Sequence, residues 1–232
     1  MVVVVTAAGG TISLLVGAVL LRLTLTGMYR RYVRVEMGPW LALAGIVVVV
    51  LGLVTLLRAI RRDRFVDAHG HHAEGERVGW LLLAPIAALL LVAPPTLGSY
   101  GVGRAASIDI SAGAPVFERL DPDGPPASMT LLEFGQRSFE RNGASFNGAT
   151  VQLTGFVAGA EPGGFRLARY QIACCAADAA PVVIRVEGVH GGVPPLDEWV
   201  TVTGRFMVAR GDVPLLAATH LTPIAPPDEP YE

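Results

Sequence analysis

The stretch Trp40–Leu57, WLALAGIVVVVLGLVTLL, runs for 18 residues without a charged side chain. An α-helix rises about 1.5 Å per residue, so a run of this length spans most of a ~30 Å hydrocarbon core. Two more runs flank it. Val2–Leu21 and Gly79–Gly98 each hold 20 residues with no charge. Together they predict a membrane region over residues 1–98, with helices at about 2–25, 39–58 and 79–98. A cleaved signal peptide is the alternative for the first run. It fits poorly, because no Lys or Arg precedes the run, its apolar stretch is long, and two further runs follow.

Charge places the loops. Arg22–Pro39 carries Arg22, Arg30, Arg31 and Arg34 against Glu36, and Arg58–Val78 carries Arg58, Arg61, Arg62, Arg64 and Arg77. Three helices put these loops on opposite sides, and positive loops favour the cytoplasm. The second loop and the amino terminus carry the larger positive count. The expectation is therefore a multi-pass protein of the cytoplasmic membrane whose C-terminal domain is extracytoplasmic. Trp40 and Trp80 open the second and third runs, where interfacial Trp is expected. Pro85 and Pro94-Pro95 bend and end the third helix. Gly9, Gly10 and Gly17, or Gly45 and Gly52, offer small-residue faces for helix association.

All 18 basic residues are Arg. Residues 1–98 hold nine Arg and five acids, and residues 99–232 nine Arg and fifteen acids, net +4 and −6. The second half thus has the wrong sign for a nucleic-acid binder, which needs a basic face to displace counterions. The lipid bilayer is the expected partner instead.

Beyond the membrane region the pattern changes. Residues 99–128 are rich in Gly, Ser, Ala, Pro and Asp, end in Asp121-Pro-Asp-Gly-Pro-Pro126, and read as a linker. Met129–Arg141 predicts a short helix with Ser128 as N-cap and Leu131, Leu132 and Phe139 on its apolar side. Thereafter the period is two. Val151, Leu153, Gly155 and Val157 alternate with Gln152, Thr154, Phe156 and Ala158. Phe165–Gln171, Val182–Val186, Trp199–Val208 and Leu215–Ile224 follow, separated by Gly, Pro and Asp clusters. About five short strands with mid-strand Gly155 and Gly204 predict a small all-β domain over 129–232. An OB-like barrel is favoured over a sandwich.

Two clusters carry candidate chemistry. Ile172-Ala-Cys-Cys-Ala-Ala-Asp-Ala179 falls between two strands and holds the only two cysteines of the chain. Cys174 and Cys175 can close a strained, easily reduced vicinal disulfide or bind a soft metal as thiolates, and Asp178 can add a hard ligand or cap a turn. Small residues packing a tight crossing over the end of the β domain are the bland alternative. Asp67, His69, His71 and His72 form the second cluster, with donors suited to weak binding of a transition metal, or a solvated loop. No cofactor is required by the sequence. His190 and His220 read as surface residues, and Trp199 as core. No Ser-His-Asp arrangement, P-loop or nucleotide fingerprint is present, so an enzyme is not expected.

These residues resemble a known family. Leu25-Thr-Gly27, the Tyr29-Arg-Arg-Tyr32 stretch, a helix after Pro39, a His-bearing loop and Pro94-Pro-Thr-Leu-Gly98 are similar to its amino half. Arg169-Tyr-Gln-Ile-Ala-Cys-Cys-Ala-Ala-Asp178 and Val200-Thr-Val-Thr-Gly204 are similar to its carboxyl half. This is a bacterial family of membrane proteins regarded as permease-complex subunits, encoded beside a larger multi-span permease. The resemblance implies a non-enzymatic accessory subunit with a multi-span permease as partner. The rival expectation is a membrane-anchored thiol-redox or metal-handling protein that uses Cys174 and Cys175.

Overall fold

A computed structural model describes residues 7–63, 97–105, 110, 115–189, 192–208 and 213–232. The chain divides into two compact units, Met1–Pro95 and Thr96–Glu232.

In the first unit, α1 (Ala7–Leu25) and α2 (Gly38–Asp63) form an antiparallel pair. They are joined by two 3-10 turns, Met28–Arg31 and Val35–Met37. The turn region is tied by the Tyr29 hydroxyl, which donates to the Val35 carbonyl at 3.2 Å. Pro39 stands in the first turn of α2, where its missing N–H costs nothing. The packing is glycine on glycine. A Cβ at Gly10 would lie 3.0 Å from the Leu56 nitrogen and 3.2 Å from the Gly52 carbonyl oxygen. One at Gly17 would lie 2.6 Å from Val49 Cγ2 and 3.0 Å from the Gly45 oxygen. Gly10 and Gly17, like Gly45 and Gly52, are seven residues apart, two turns on one helix face. The small-residue faces of the two helices therefore meet each other, while Gly9 stays exposed.

The described side chains of α1 and α2 form no aliphatic core. Gly10, Gly17, Gly38, Gly45 and Gly52 are the buried residues, while Leu15, Leu43, Ile46, Val47, Val50, Leu51 and Leu53 are exposed. Among the described residues one helix, Val35–Arg61, is long and apolar enough to cross a membrane. Only 11% of its most apolar window is buried, whereas the core helix of a soluble protein is mostly buried. Among the described residues Gly9–Leu25 is apolar but shorter. Of the third run, residues 79–96 lie outside the described residues.

The second unit is built on a six-stranded sheet: β1 (Ala127–Ser128), β2 (Thr150–Glu161), β3 (Gly164–Gln171), β4 (Ala180–Glu187), β5 (Trp199–Met207) and β6 (Leu215–Pro223). The order is β1-β2-β3-β4-β6-β5, and β2 pairs with β5 as well. Pairing thus runs from β2 through β3, β4, β6 and β5 back to β2. The first half of β2, Thr150–Phe156, pairs with β5, and its second half, from Phe156, with β3. Gly155 sits where the strand passes from one partner to the other. Alternation holds as expected through Leu153, then Gly155–Gly159 are all buried. The reason is a second core. Val157 joins Leu153, Phe165, Leu167, Ile184 and Val202 in the main cluster. Phe156 and Ala158 join Tyr170 and Trp199 in another.

The helix before β2 begins later than expected. α4, Leu131–Phe139, is capped by Thr130, whose hydroxyl accepts from the Glu133 N–H at 3.0 Å. Ser128 belongs to β1 and bonds Gln152 instead. The helix buries Leu131, Phe134 and Arg137, while Phe139 points outward at 38% exposure. Phe134, Phe146 and Phe206 form an aromatic cluster, with ring centroids of Phe146 and Phe206 4.7 Å apart. The backbone reaches Phe146 through Gly143 at φ 78°, and a Cβ there would collide with the Phe206 ring. Only glycine fits both the conformation and the space.

Residues 99–128 are more than a linker. α3 (Ser99–Val102) begins where the Ser99 N–H donates to Asp197 at 2.6 Å, and Leu97 and Val102 pack on the Phe156–Trp199 cluster. Further on, Arg137 donates to the Glu118 carbonyl at 2.9 Å and stacks on Phe117 at 4.4 Å. The Gly/Pro-rich composition hides a few apolar anchors that this unit needs to close its core.

Candidate functional site

β3 ends at Gln171 and β4 begins at Ala180, and these two residues are themselves paired. The eight residues between them must reverse the chain tightly. Ile172 is 5% exposed and anchors the turn in the second unit. Ala176–Asp178 form one 3-10 turn. The carboxylate of Asp178 folds back over it. It accepts from the N–H of Ala173 at 2.9 Å, of Cys174 at 2.8 Å and of Cys175 at 3.4 Å. In return the Asp178 N–H donates to the Cys175 carbonyl at 3.1 Å and to the Cys175 sulfur. A short acidic side chain preceded by small residues, able to reach back to their N–H groups, is the local chemistry that makes such a turn.

This arrangement presents both thiols on the surface. Cys174 is exposed, Cys175 half-buried, and their sulfurs are 3.7 Å apart as free thiols. Neither cysteine is buried in a core, and the Cys175 sulfur accepts the Asp178 N–H within the turn. Among the described residues, Cys174, Cys175 and Asp178 are the one group of three whose ligand atoms converge, all within 4.8 Å. The thiol of Cys174 and the backbone amides hold the Asp178 carboxyl down at about 2. The hydrogen bond to Asp178, then that to Cys175, pushes the Cys174 thiol up to about 11.

The depressed Asp178 value carries a sign. The folded turn binds a proton less readily than the free chain, so Asp178 contributes stability above its ordinary value of 3.8, and that contribution is lost as pH falls through about 2. We expect the Asp178 carboxyl resonance to titrate near 2, with amide protection of Ala173 and Cys174 retained at pH 4. A midpoint near 3.8 would mean the carboxylate does not bind those amides.

Other expected residues fall elsewhere. Asp67, His69, His71, His72 and His190 lie outside the described residues. His220 is exposed on β6, where its Nε2 lies 3.1 Å from the Thr222 hydroxyl. Trp199 is core, as expected, at 6% exposure.

Two features had no sequence signal. Glu232 is nearly buried and ties three elements together. Its carboxylate accepts from the Leu131 N–H at 3.1 Å and the Gln171 amide at 3.0 Å, and pairs with Arg169 at 3.6 Å. Burial raises its pKa, opposed by Arg169 and the amide donors. The second feature is an open groove of about 460 Å3 lined by Val189, Val193, Pro194, Glu198, His220 and Leu221.

The chain carries the DUF1980 N-terminal domain over residues 10–104 and the DUF1980 C-terminal domain over residues 136–232, the two parts of an uncharacterised family. No curated protein matches it.

Proposed function

We propose that this DUF1980 chain is a non-enzymatic accessory subunit of a membrane permease complex. Its helices pack in the bilayer against a larger multi-span partner, and its β domain is an extracytoplasmic OB-like barrel at the partner's outer face. The observation that carries this reading is the inverted packing of α1 and α2: glycines inside, Leu, Val and Ile outside. Such a surface is unfavourable in water and needs lipid or an apolar protein face. With the glycine faces consumed inside the hairpin, the partner is met through aliphatic side chains. A returning ring of strand pairings, with a helix before its first long strand, supports the OB-like reading. The Arg distribution supports a cytoplasmic second loop.

The test is affinity purification of the full chain from membranes in mild detergent. Stoichiometric recovery of a multi-span protein is expected. A chain recovered alone, or found in the aqueous fraction without detergent, overturns the reading. A reporter fused after residue 232 checks the side of the membrane.

One observation favours a second reading. The exposed Cys174–Cys175–Asp178 turn suits a membrane-anchored thiol-redox or metal-handling protein. Here a chain with both Cys174→Ser and Cys175→Ser loses its function in the cell, whereas an accessory subunit held by its helices keeps it.

A further inference from the structure

We propose that Cys174, Cys175 and Asp178 bind one thiophilic divalent cation of tetrahedral preference, Zn2+ being the physiological ion, with a fourth position open to solvent. This deepens the second reading above and names its ligand.

The spacing of the sulfurs points to the geometry. Two thiolates about 2.3 Å from a zinc ion at the tetrahedral angle stand about 3.8 Å apart. The thiols here are 3.7 Å apart. A linear two-coordinate ion with bonds of the same length would need its sulfurs about 4.6 Å apart. Hard cations that demand six or more oxygens find a single carboxylate here. A pair of sulfurs with one carboxylate oxygen is a donor set for a borderline ion.

Asp178 has coordination to spare. Each carboxylate oxygen offers two lone-pair directions. The Oδ1 atom receives one backbone N–H, from Ala173, while Oδ2 receives those of Cys174 and Cys175. The Cys174 thiol also bonds this carboxylate, and loss of its proton on metal binding frees that direction for the ion, while the amides orient the carboxylate from behind, as outer partners do in metal sites. The turn is already held in place, since its ends are the paired residues Gln171 and Ala180. Binding therefore need not order the loop.

Exposure points to the use of the site. A structural zinc is closed by four protein ligands, whereas three ligands leave a position for water or an incoming donor. With Cys174 exposed and no fourth protein ligand among the described residues, the ion can be passed on by exchange. Loading releases the thiol protons to solvent as the sulfurs bind the cation. No electron moves, and no co-reactant is needed.

The test uses the reduced, metal-stripped full chain in detergent, titrated with Cd2+ as an optical stand-in for Zn2+. The chain has two cysteines in all, so a sulfur-to-metal charge-transfer band reports this turn alone, whatever His69, His71 and His72 bind. We expect one Cd2+ per chain, a band of two-thiolate intensity, and its displacement by Zn2+. Cys174→Ser and Cys175→Ser should each halve the band and weaken binding at least about 100-fold, and Asp178→Asn should weaken it about 10–100-fold. No band at stoichiometric Cd2+, or equal affinity after both serine substitutions, overturns the site. If cells need the cysteines but no band forms, the metal inference falls and a thiol role stands. If the band forms but cells do without the cysteines, the site stands and the second reading falls.

Discussion

Gly204→Val destabilises the β domain by about 3 kcal/mol or more, the upper end of core overpacking. Gly204 lies mid-strand in β5, between Val151 on one side and Ala218 on the other. A Cβ there would be driven into the Ala217 carbonyl oxygen and would lie 2.9 Å from its carbon and 3.0 Å from Ala218 Cα. All three are backbone atoms, so no side chain can swing away. Nor can the strand slide, because ladders hold it on both edges. The register shift beside it, where Thr203 pairs with His220 but Gly204 with Ala218, shows the local bend that brings the two backbones together. Thermal unfolding of the full chain, followed by β-sheet circular dichroism and by protease cleavage within residues 129–232, reads the effect. Arg205→Ala, next along the strand and exposed, should stay within about 0.5 kcal/mol of the parent. A Gly204→Val chain that melts with the parent would mean the backbones are not in contact.

The hairpin of α1 and α2 should respond as sharply to Gly17→Leu. A Cβ at Gly17 would stand 2.6 Å from Val49 Cγ2 and 2.9 Å from the Val49 nitrogen. The three carbons beyond it cannot be housed without parting the helices. That loses the close approach at Gly10, Gly45 and Gly52 together, because all four glycines share one seam. Among aliphatic surroundings there is little hydrophobic drive to bring the helices back, so packing contacts carry the association. We expect a loss of about 2–4 kcal/mol, in the range of other misfitted buried positions. Helical melts in detergent and protease access to the turn between α1 and α2 are the measurements. Leu15→Ala, on the exposed side of α1, is the control and should leave the hairpin intact. An unchanged melt for Gly17→Leu would remove the glycine seam, and with it the claim that the aliphatic faces are left for lipid and partner.

Much of this was legible residue by residue. The period-two pattern from Val151 located β2, and the β-branched runs located β4 and β5, because strand periodicity is a local property of alternate side chains. Gly155 and Gly204 stand out in the sequence as mid-strand glycines, and both are places where backbone meets backbone. The Cys174–Asp178 segment is legible as a stretch between two strands. The helix cap was missed by two residues because Ser128 and Thr130 are equivalent as caps. The choice fell to Thr130 once Ser128 entered β1 beside β2. The linker reading fails at Val102 and Leu120, and the third-helix reading at Leu97, because their pockets are formed by residues far along the chain.

The amino-acid order alone determined the division into an apolar helical part and an acidic β part, the places of the five long strands, and the pairing of two thiols with one carboxylate. Those follow from composition, periodicity and spacing over a few residues, which no partner alters. Only the tertiary structure decided which glycines touch and which surface of the hairpin is left apolar. It also decided that Glu232 closes a buried network with Arg169 and Leu131, and that Cys174 stands exposed beside an anchored Asp178. Each of these depends on where distant segments meet, and steric fit and desolvation arise only at that meeting.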